Sequence, residues 1–281
     1  MTQAEQNPGV CYRHPKRESW VLCQRCGRTI CPDCQTPAAV GVQCPECVRE
    51  GRASMPKRRP GRGFVRAMSP SSGRPIVTYS ILAVTVFVYL LQLVFPAVTG
   101  ALAYVPAYTE LQPWRLLTAV LVHAALPFHL LFNMLALLVV GRALEPLIGR
   151  GRFVALYLLS ALAGSLAVLL LGNPFGSVIG ASGAVFGLFA AYIVIVRRLG
   201  GNVTPMLVIV GINLVFGFFI GGVSWQAHVG GLIGGALVAL ILLNTRRRQQ
   251  RTIQLLLLGG FAVALFIAVW AGFTLRIAPL F

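Results

Sequence analysis

A serine and a histidine in the apolar part of the sequence have the residue types of a nucleophile and its base. Ser182 lies in Gly180-Ala181-Ser182-Gly183 at the start of one long uncharged segment, and His228 lies near the start of another. A serine hydroxyl is a weak nucleophile until a base takes its proton. Ionisable residues within apolar segments are costly and are therefore candidates for function. The two residues predict a Ser-His dyad that attacks a carbonyl carbon.

Two further polar residues could stabilise the oxyanion that such an attack produces. His129 and Asn133 are four residues apart, so they share one face of a helix, which we expect to begin at Pro127. Both side chains, together with the Ser182 backbone amide, are hydrogen-bond donors of the kind that stabilises an oxyanion. Taken singly, a serine or an asparagine in a membrane helix more often serves helix packing.

No acidic residue is expected to complete a triad. Glu110 lies in a predicted outer loop, and Glu145 lies at the far end of the helix that carries His129. Neither carboxylate should therefore reach His228, and the arrangement is a dyad rather than a triad.

The elements that must position these residues are membrane-spanning helices. Of the 281 residues, 57% are hydrophobic and 11% are charged, which is typical of polytopic membrane proteins and not of soluble domains. A spanning helix needs roughly 20 apolar residues. Seven segments fit, at about 76–95, 127–145, 152–171, 182–197, 203–221, 226–244 and 254–272. No cleavable signal peptide is expected, because the sequence before them is polar and rich in cysteine.

The basic residues predict the orientation of these spans. One side carries fifteen of them, namely Lys57, Arg58, Arg59, Arg62, Arg66, Arg74, Arg142, Arg150, Arg152, Arg197, Arg198, Arg246, Arg247, Arg248 and Arg251. The other side carries only Arg115 and Arg276. Cytoplasmic loops are the basic ones, so the amino terminus is expected in the cytoplasm and the carboxyl terminus outside. The net charge of +17 then reflects topology and not nucleic-acid binding.

This orientation brings the polar residues of the spans to one depth. The second, fourth and sixth spans all run inward from the outer face. Ser182, His228, His129 and Asn133 each lie near the start of one of them. We therefore expect an active site that opens on the outer side of the cell membrane.

Residues 1–50 contain four pairs of metal-ligand residues: Cys11-x-x-His14, Cys23-x-x-Cys26, Cys31-x-x-Cys34 and Cys44-x-x-Cys47. Structural zinc takes four sulfur or nitrogen ligands, so eight ligands fit two Zn2+ ions. The spacing resembles the B-box zinc module, in which alternate pairs share an ion, although sequential pairing is open from sequence alone. Free or disulfide-bonded cysteines are the alternative. Folding should require the metal, and we expect a structural module or one that docks a cytosolic partner.

Residues 51–75 are rich in proline, glycine, serine and basic residues, which predicts a flexible linker. Its charges either mark topology or attract anionic lipid headgroups.

The ordered motifs over about residues 76–245 resemble the rhomboid family of intramembrane serine proteases. The matching residues are Gly180-Ala181-Ser182-Gly183, Ala227-His228 with Gly231, His129-x-x-x-Asn133 and Trp114-Arg115, with His123 and Glu145 as further counterparts. The resemblance implies a six-helix bundle in which Ser182 is the nucleophile, His228 the base, and His129 and Asn133 line the oxyanion site. It implies a structural first loop at Trp114 and Arg115, and single-pass membrane proteins as substrates that enter beside the fifth span. Phe186 stands where relatives often carry a tyrosine, so it keeps a stacking role on the histidine.

The sequence thus predicts an all-α polytopic membrane protein with four parts. These are a zinc module at 1–50, a linker at 51–75, a protease core of six spans at 76–245, and a basic loop with a seventh span at 246–281. GxxxG pairs at Gly183/Gly187, Gly230/Gly234 and Gly231/Gly235 allow the fourth and sixth spans to approach closely. The competing hypotheses are a catalytically silent membrane adaptor that recruits a partner through its zinc module, and a transporter, for which the spans lack an acidic relay.

Overall fold

The structure is a computed structural model that describes residues 9–38, 40–54, 74–219 and 222–281. The chain forms two compact units, residues 1–59 and residues 60–281. Most of the linker predicted at 51–75 lies outside the described residues. The linker and the four domain boundaries therefore stay predictions.

The first unit is small, and its described residues form almost no aliphatic or aromatic core. Strands β1 (Val10–Cys11) and β2 (His14–Glu18) pair antiparallel, as do β3 (Thr36–Pro37) and β4 (Val42–Gln43), and helix α1 (Pro45–Ser54) follows. Its buried apolar cluster consists, among the described residues, of six cysteines and Ile30. Such a cluster buries too little apolar surface to hold a fold by itself.

The described part of the second unit contains the seven predicted spans as helices. They are α2 (Ile76–Val94), α5 (Pro127–Ile148), α6 (Arg150–Leu171), α7 (Ser182–Arg198), α8 (Thr204–Phe219), α9 (Trp225–Asn244) and α10 (Arg251–Gly272). Two short helices, α3 (Ala97–Leu102) and α4 (Arg115–Thr118), lie in the loop between α2 and α5. The prediction of an all-α polytopic membrane protein is confirmed, and α5 begins at the predicted Pro127.

Two of the seven helices are short for a membrane span. Five are long and apolar enough to cross a membrane, whereas α7 has 17 residues and α8 has 16. At 1.5 Å per residue, α7 and α8 are about 25 Å long, slightly less than the hydrocarbon core of about 30 Å. The short helix α7 is the one that begins at Ser182.

Helices α6, α7 and α9 pack against one another, and α7 also contacts α5 and α8. The residues of α7 from Gly183 to Ala191 are buried without interruption. Glycines bring the backbones of α7 and α9 into contact: a Cβ atom on Gly231 would overlap the carbonyl group of Gly183. A Cβ atom on Gly235 would overlap the backbone of Gly187 in the same way. Small residues at this spacing let membrane helices approach closely, as predicted for the Gly183/Gly187 and Gly231/Gly235 pairs. The prediction is wrong for Gly230/Gly234, because these two glycines lie against Ala163 of α6 and not against α7.

Glu145, near the end of α5, caps the first turn of α2. Its side chain is buried and accepts hydrogen bonds from the backbone amides of Val77 (2.9 Å) and Thr78 (2.8 Å) and from Thr78 Oγ1 (2.7 Å). Amides in the first turn have no partner within their own helix, and a carboxylate complements the positive end of the helix dipole. Glu145 thus joins α2 to α5 at the end of α5 opposite His129.

The contact between α7 and α9 predicts unequal effects of two Gly→Ala substitutions. Gly231→Ala should lower the free energy of unfolding by about 2 kcal/mol, because the new methyl group forces the two backbones apart. Gly259→Ala on α10 is the matched control, since nothing lies within 4 Å of a Cβ atom there. It should be neutral or stabilise by up to about 1 kcal/mol, through helix propensity alone. Unfolding in detergent micelles measures both, and equal stability of the two variants would contradict the backbone contact.

Candidate active site

Ser182 is the first residue of α7 and follows a turn that only glycine can make easily. Gly180 has φ +111°, and its amide donates to the carbonyl oxygen of Ala119 (2.9 Å). The amide of Ala181 points at His123 Nε2 (3.4 Å). These two bonds fix the backbone immediately before Ser182. The Ser182 side chain is half-buried, and it makes no hydrogen bond to the residues that the structure describes.

The segment before this turn is held by the first loop. Tyr104 and Val178 form an antiparallel bridge through two backbone hydrogen bonds of 2.9 and 2.8 Å. The Ala107 amide donates to the carbonyl oxygen of Pro174 (2.9 Å). The loop between α2 and α5 thus positions the approach to Ser182. Nothing in the sequence pattern predicted this bridge, because one strand-like residue on each side leaves no periodicity.

His228 lies in the first turn of α9, in an enclosed and well-defined environment. The helix begins after Ser224, whose side chain accepts a hydrogen bond from the Ala227 amide (3.4 Å). The imidazole of His228 is 6% exposed and stacks on the Phe186 ring, with centroids 4.0 Å apart and planes 7° apart. Its Nδ1 atom is buried without a partner among the described residues, and a Cβ atom on Gly217 of α8 would lie 3.5 Å from it.

The Phe186 stack brings His228 to the face of α7 that bears Ser182. Residues four apart lie one above the other on a helix, so Ser182 and Phe186 share a face. The neighbouring residues Gly183 and Ala227 are close as well, since a Cβ atom on Gly183 would lie 3.3 Å from the Ala227 carbonyl oxygen. Ser182 and His228 therefore lie toward the same surface between α7 and α9, and their pairing as a dyad stays a prediction.

His129 lies beside the turn that precedes Ser182. A Cβ atom on Gly180 would lie 2.7 Å from His129 Nε2, so the imidazole occupies the space that a side chain at Gly180 would need. The Ala124 amide donates to His129 Nδ1 (3.3 Å). Because Nδ1 accepts, the neutral ring carries its proton on Nε2, the nitrogen that points at the turn. His129 therefore presents a donor at this position.

Asn133 is 7% exposed, and its side-chain amide donates to the backbone carbonyl oxygen of His129 (2.9 Å). One of its two N–H groups is therefore used within α5. The second N–H group is the one that can act as a donor at the site. Asn133 also ties the first turn of α5, which carries His129, to the turn that follows.

Trp114 and Arg115 serve the first loop and do not contact the dyad. Arg115 is 7% exposed, donates to the carbonyl oxygen of Ala103 (2.6 Å) and to the side chain of Gln112, and lies over the Tyr108 ring. Trp114 is half exposed and donates to the carbonyl oxygen of Ala101 (3.2 Å). Their bonds close the loop on itself.

The first unit contains two clusters that could each hold a metal ion. Cys11, His14, Cys31 and Cys34 form one, and Cys23, Cys26, Cys44 and Cys47 form the other. In each cluster the four donor atoms lie within 4.8 Å of one another. The interleaved grouping is the one found, and the sequential pairing that the sequence left open is not.

The thiols of these clusters differ in acidity. Burial opposes ionisation of Cys11 and Cys23, but hydrogen bonds from surrounding backbone amides outweigh it and lower each pKa to about 6. Burial and the neighbouring thiols raise the pKa of Cys34 to about 11 and also raise the pKa of Cys47. Crowded thiolates repel one another, so full ionisation of either cluster needs a cation among them.

Comparison with known proteins gives consistent matches. The sequence matches the Rhomboid domain over residues 110–245. Rhomboid protease GluP of Bacillus subtilis (strain 168) is 34% identical over 186 residues, which are 61% of this chain and 36% of GluP. YdcA of the same strain is 32% identical over 142 residues, 48% of this chain and 70% of YdcA. RHOMBOID-like protein 7 of Arabidopsis thaliana is 36% identical over 172 residues, 58% of this chain and 54% of that protein.

Proposed function

Because this chain belongs to the rhomboid family, we propose that it is an intramembrane serine endopeptidase that cleaves single-pass membrane proteins in or near their spans. The observation that carries the proposal is the stack of His228 on Phe186, one turn after Ser182 on the same face of α7. The chain covers less than two thirds of GluP, so activity and substrates are proposed from the residues of this chain.

The proposed reaction uses Ser182 as nucleophile and His228 as base. As Ser182 Oγ bonds to the scissile carbonyl carbon, its proton passes to His228 Nε2, since Nδ1 is buried. The C–N bond then breaks, and His228 returns the proton to the departing amine. Water attacks the resulting ester, again with His228 as base, and restores the Ser182 hydroxyl. The planar contact with Phe186 keeps the ring orientation constant through these transfers.

The oxyanion would be stabilised by donors already in place. The Nε2–H group of His129 points at the turn before Ser182, the Ser182 amide opens α7, and Asn133 has one N–H group not used within its helix. Donors fixed before the reaction need no reorganisation when charge develops, which makes such stabilisation effective. No carboxylate contacts His228 among the described residues, which supports a dyad.

The site is proposed to open on the outer side of the cell membrane, with the amino terminus in the cytoplasm. Helices α5, α7 and α9 all begin at the end of the bundle where the polar site residues lie. Arg142, Arg150, Arg197 and Arg246 lie at or near the other end of these helices. The basic end faces the cytoplasm by the positive-inside rule.

Substrate entry is proposed beside α8. Only Met206, Val210 and Gly217 of this helix are buried, so it packs on the bundle less extensively than α7 or α9. Gly217 nevertheless lies close to His228, since a Cβ atom on Gly217 would be 3.5 Å from His228 Nδ1. A helix that is weakly packed and adjacent to the base is well placed to move aside for a transmembrane segment.

Cleavage of a transmembrane substrate in liposomes tests the dyad. Ser182→Ala and His228→Ala should each reduce cleavage by about a thousandfold or more, because removing either member disables proton transfer and attack together. Ser177→Ala is the matched control, since Ser177 is exposed and lies five residues before Ser182. Cleavage that persists in Ser182→Ala would refute the proposed dyad, and a wild-type protein that binds substrates without cutting them would favour the adaptor.

We also propose that each metal cluster holds one zinc ion with a structural role. Zinc–sulfur bonds of about 2.3 Å in a tetrahedron place two sulfurs about 3.8 Å apart, and Zn–N bonds are slightly shorter. Cys26 and Cys44 have their sulfurs 3.7 Å apart, and the sulfurs of Cys31 and Cys34 lie 3.3 and 3.4 Å from His14 Nδ1. Four protein ligands leave no open position for catalysis, so the module is expected to be structural or to dock a cytosolic partner.

Elemental analysis of the purified protein should find about two zinc ions per chain, in line with eight ligands and four per ion. Cys11→Ser and Cys23→Ser should each leave one ion, because the interleaved clusters share no ligand. Each variant thereby serves as the control for the other. A folded amino-terminal unit in protein without metal, or a loss of both ions in either variant, would contradict the proposed sites.

A further inference from the structure

The carboxyl-terminal segment after α10 is hydrogen-bonded to the end of α6. Residues Phe273–Ile277 form a π-helical turn, and Ala278–Leu280 form a 3-10 turn. Arg276, in the π-helical turn, donates from Nη1 to the carbonyl oxygen of Leu169 and from Nη2 to that of Gly172 (2.6 Å). Gly172 is the residue at which α6 ends. One guanidinium group therefore spans the last turn of α6.

This contact satisfies two requirements at once. The last four carbonyl groups of a helix have no partner within it, and a cation there complements the negative end of the helix dipole. An arginine near the membrane also needs partners for its N–H groups, because unpaired charge at this depth is costly. Arg276 and the end of α6 supply each other's missing hydrogen bonds, so the position of Gly172 is fixed from the seventh span.

Residues 173–181 run from this fixed point to Ser182. The same carboxyl-terminal segment touches the elements around residues 173–181 at two more places. Phe281 packs edge-on against Phe175, with ring centroids 6.0 Å apart. The π-helical turn also contacts residues Pro106–Tyr108 of the first loop, which bond to Pro174. The carboxyl-terminal segment thus contacts both the segment 173–181 and the part of the first loop that bonds to it.

The other end of α10 is anchored equally well, but far from the site. Gln254 is buried, accepts a hydrogen bond from Arg152 Nε (2.6 Å), and donates to the carbonyl oxygen (3.1 Å) and Oγ1 (2.7 Å) of Thr245. This cluster joins the start of α10 to the start of α6 and the end of α9. Gln254 and Arg276 therefore fasten the same helix to α6 at opposite ends, and only Arg276 lies beside residues 173–181.

We propose that Arg276 is a positioning residue for Ser182, and that the seventh span, α10, places Arg276 at the end of α6. Arg276 holds Gly172 in place. Because residues 173–181 start from this fixed point, they keep the turn at Gly180 in position, and that turn directs Ser182 toward His228. The inference rests on the proposed protease function for its effect on activity. Its structural part, the ordering of residues 173–181, does not depend on that function.

The test compares Arg276→Met with Gln254→Leu in the full-length protein in liposomes. The readouts are the rate of Ser182 labelling by a fluorophosphonate probe, kcat and KM for a transmembrane substrate, and hydrogen exchange of amides 173–181. Arg276→Met should slow labelling and lower kcat about tenfold with KM nearly constant, because misplacing a nucleophile by about 1 Å is enough for such a loss. Exchange of amides 173–181 should become faster, and Arg276→Lys should recover part of the labelling rate because its charge can still bond the last carbonyl groups.

Gln254→Leu removes a comparable anchor of the same helix and should leave both labelling and exchange of amides 173–181 unchanged. Equal slowing of Ser182 labelling in Arg276→Met and Gln254→Leu would mean that the seventh span only stabilises the fold in general, and it would overturn the proposal. No change in Arg276→Met would overturn it as well. If the wild-type protein neither labels nor cleaves, the proposed function fails, and the exchange of amides 173–181 still decides the role of Arg276.

Discussion

The backbone contact between α7 and α9 is the constraint on which the site depends. A short serine side chain can meet a histidine only if the two helices approach more closely than ordinary side chains allow. Gly183, Gly187, Gly231 and Gly235 remove the side chains that would prevent this approach. The same contact places His228 over Phe186, so helix packing and ring orientation have a single origin. The approach of Ser182 to His228 therefore depends on the spacing of these glycines.

The remaining elements hold this pair of helices in place. The first loop bonds to the segment before Ser182 through Tyr104 and Val178, and it is closed on itself by Arg115. Glu145 fixes α2 at the opposite end of α5. The two polar anchors of α10 connect it to α6. Glu145 and Arg276 both bond to backbone groups at helix ends, where the helix leaves donors or acceptors unpaired.

Much of this arrangement could be predicted from the sequence. Hydropathy located the seven helices, and the charge asymmetry brought Ser182, His228 and His129 to one level before any packing was known. Pairs far apart in sequence could not be found in this way. Glu145 is 67 residues from Thr78 and Arg276 is 104 from Gly172, and no periodicity connects residues at such separations. The grouping of the eight cluster ligands was open for the same reason, because spacing sets which residues can bind metal and folding decides which of them meet.

The central claim is that Ser182 is a nucleophile activated by His228. Mass spectrometry of the full-length protein after reaction with a fluorophosphonate tests it most directly. The wild-type protein should carry a single phosphonyl adduct, on the peptide that contains Ser182, and His228→Ala should carry none. An adduct on another residue, or labelling of Ser182 that does not depend on His228, would contradict it.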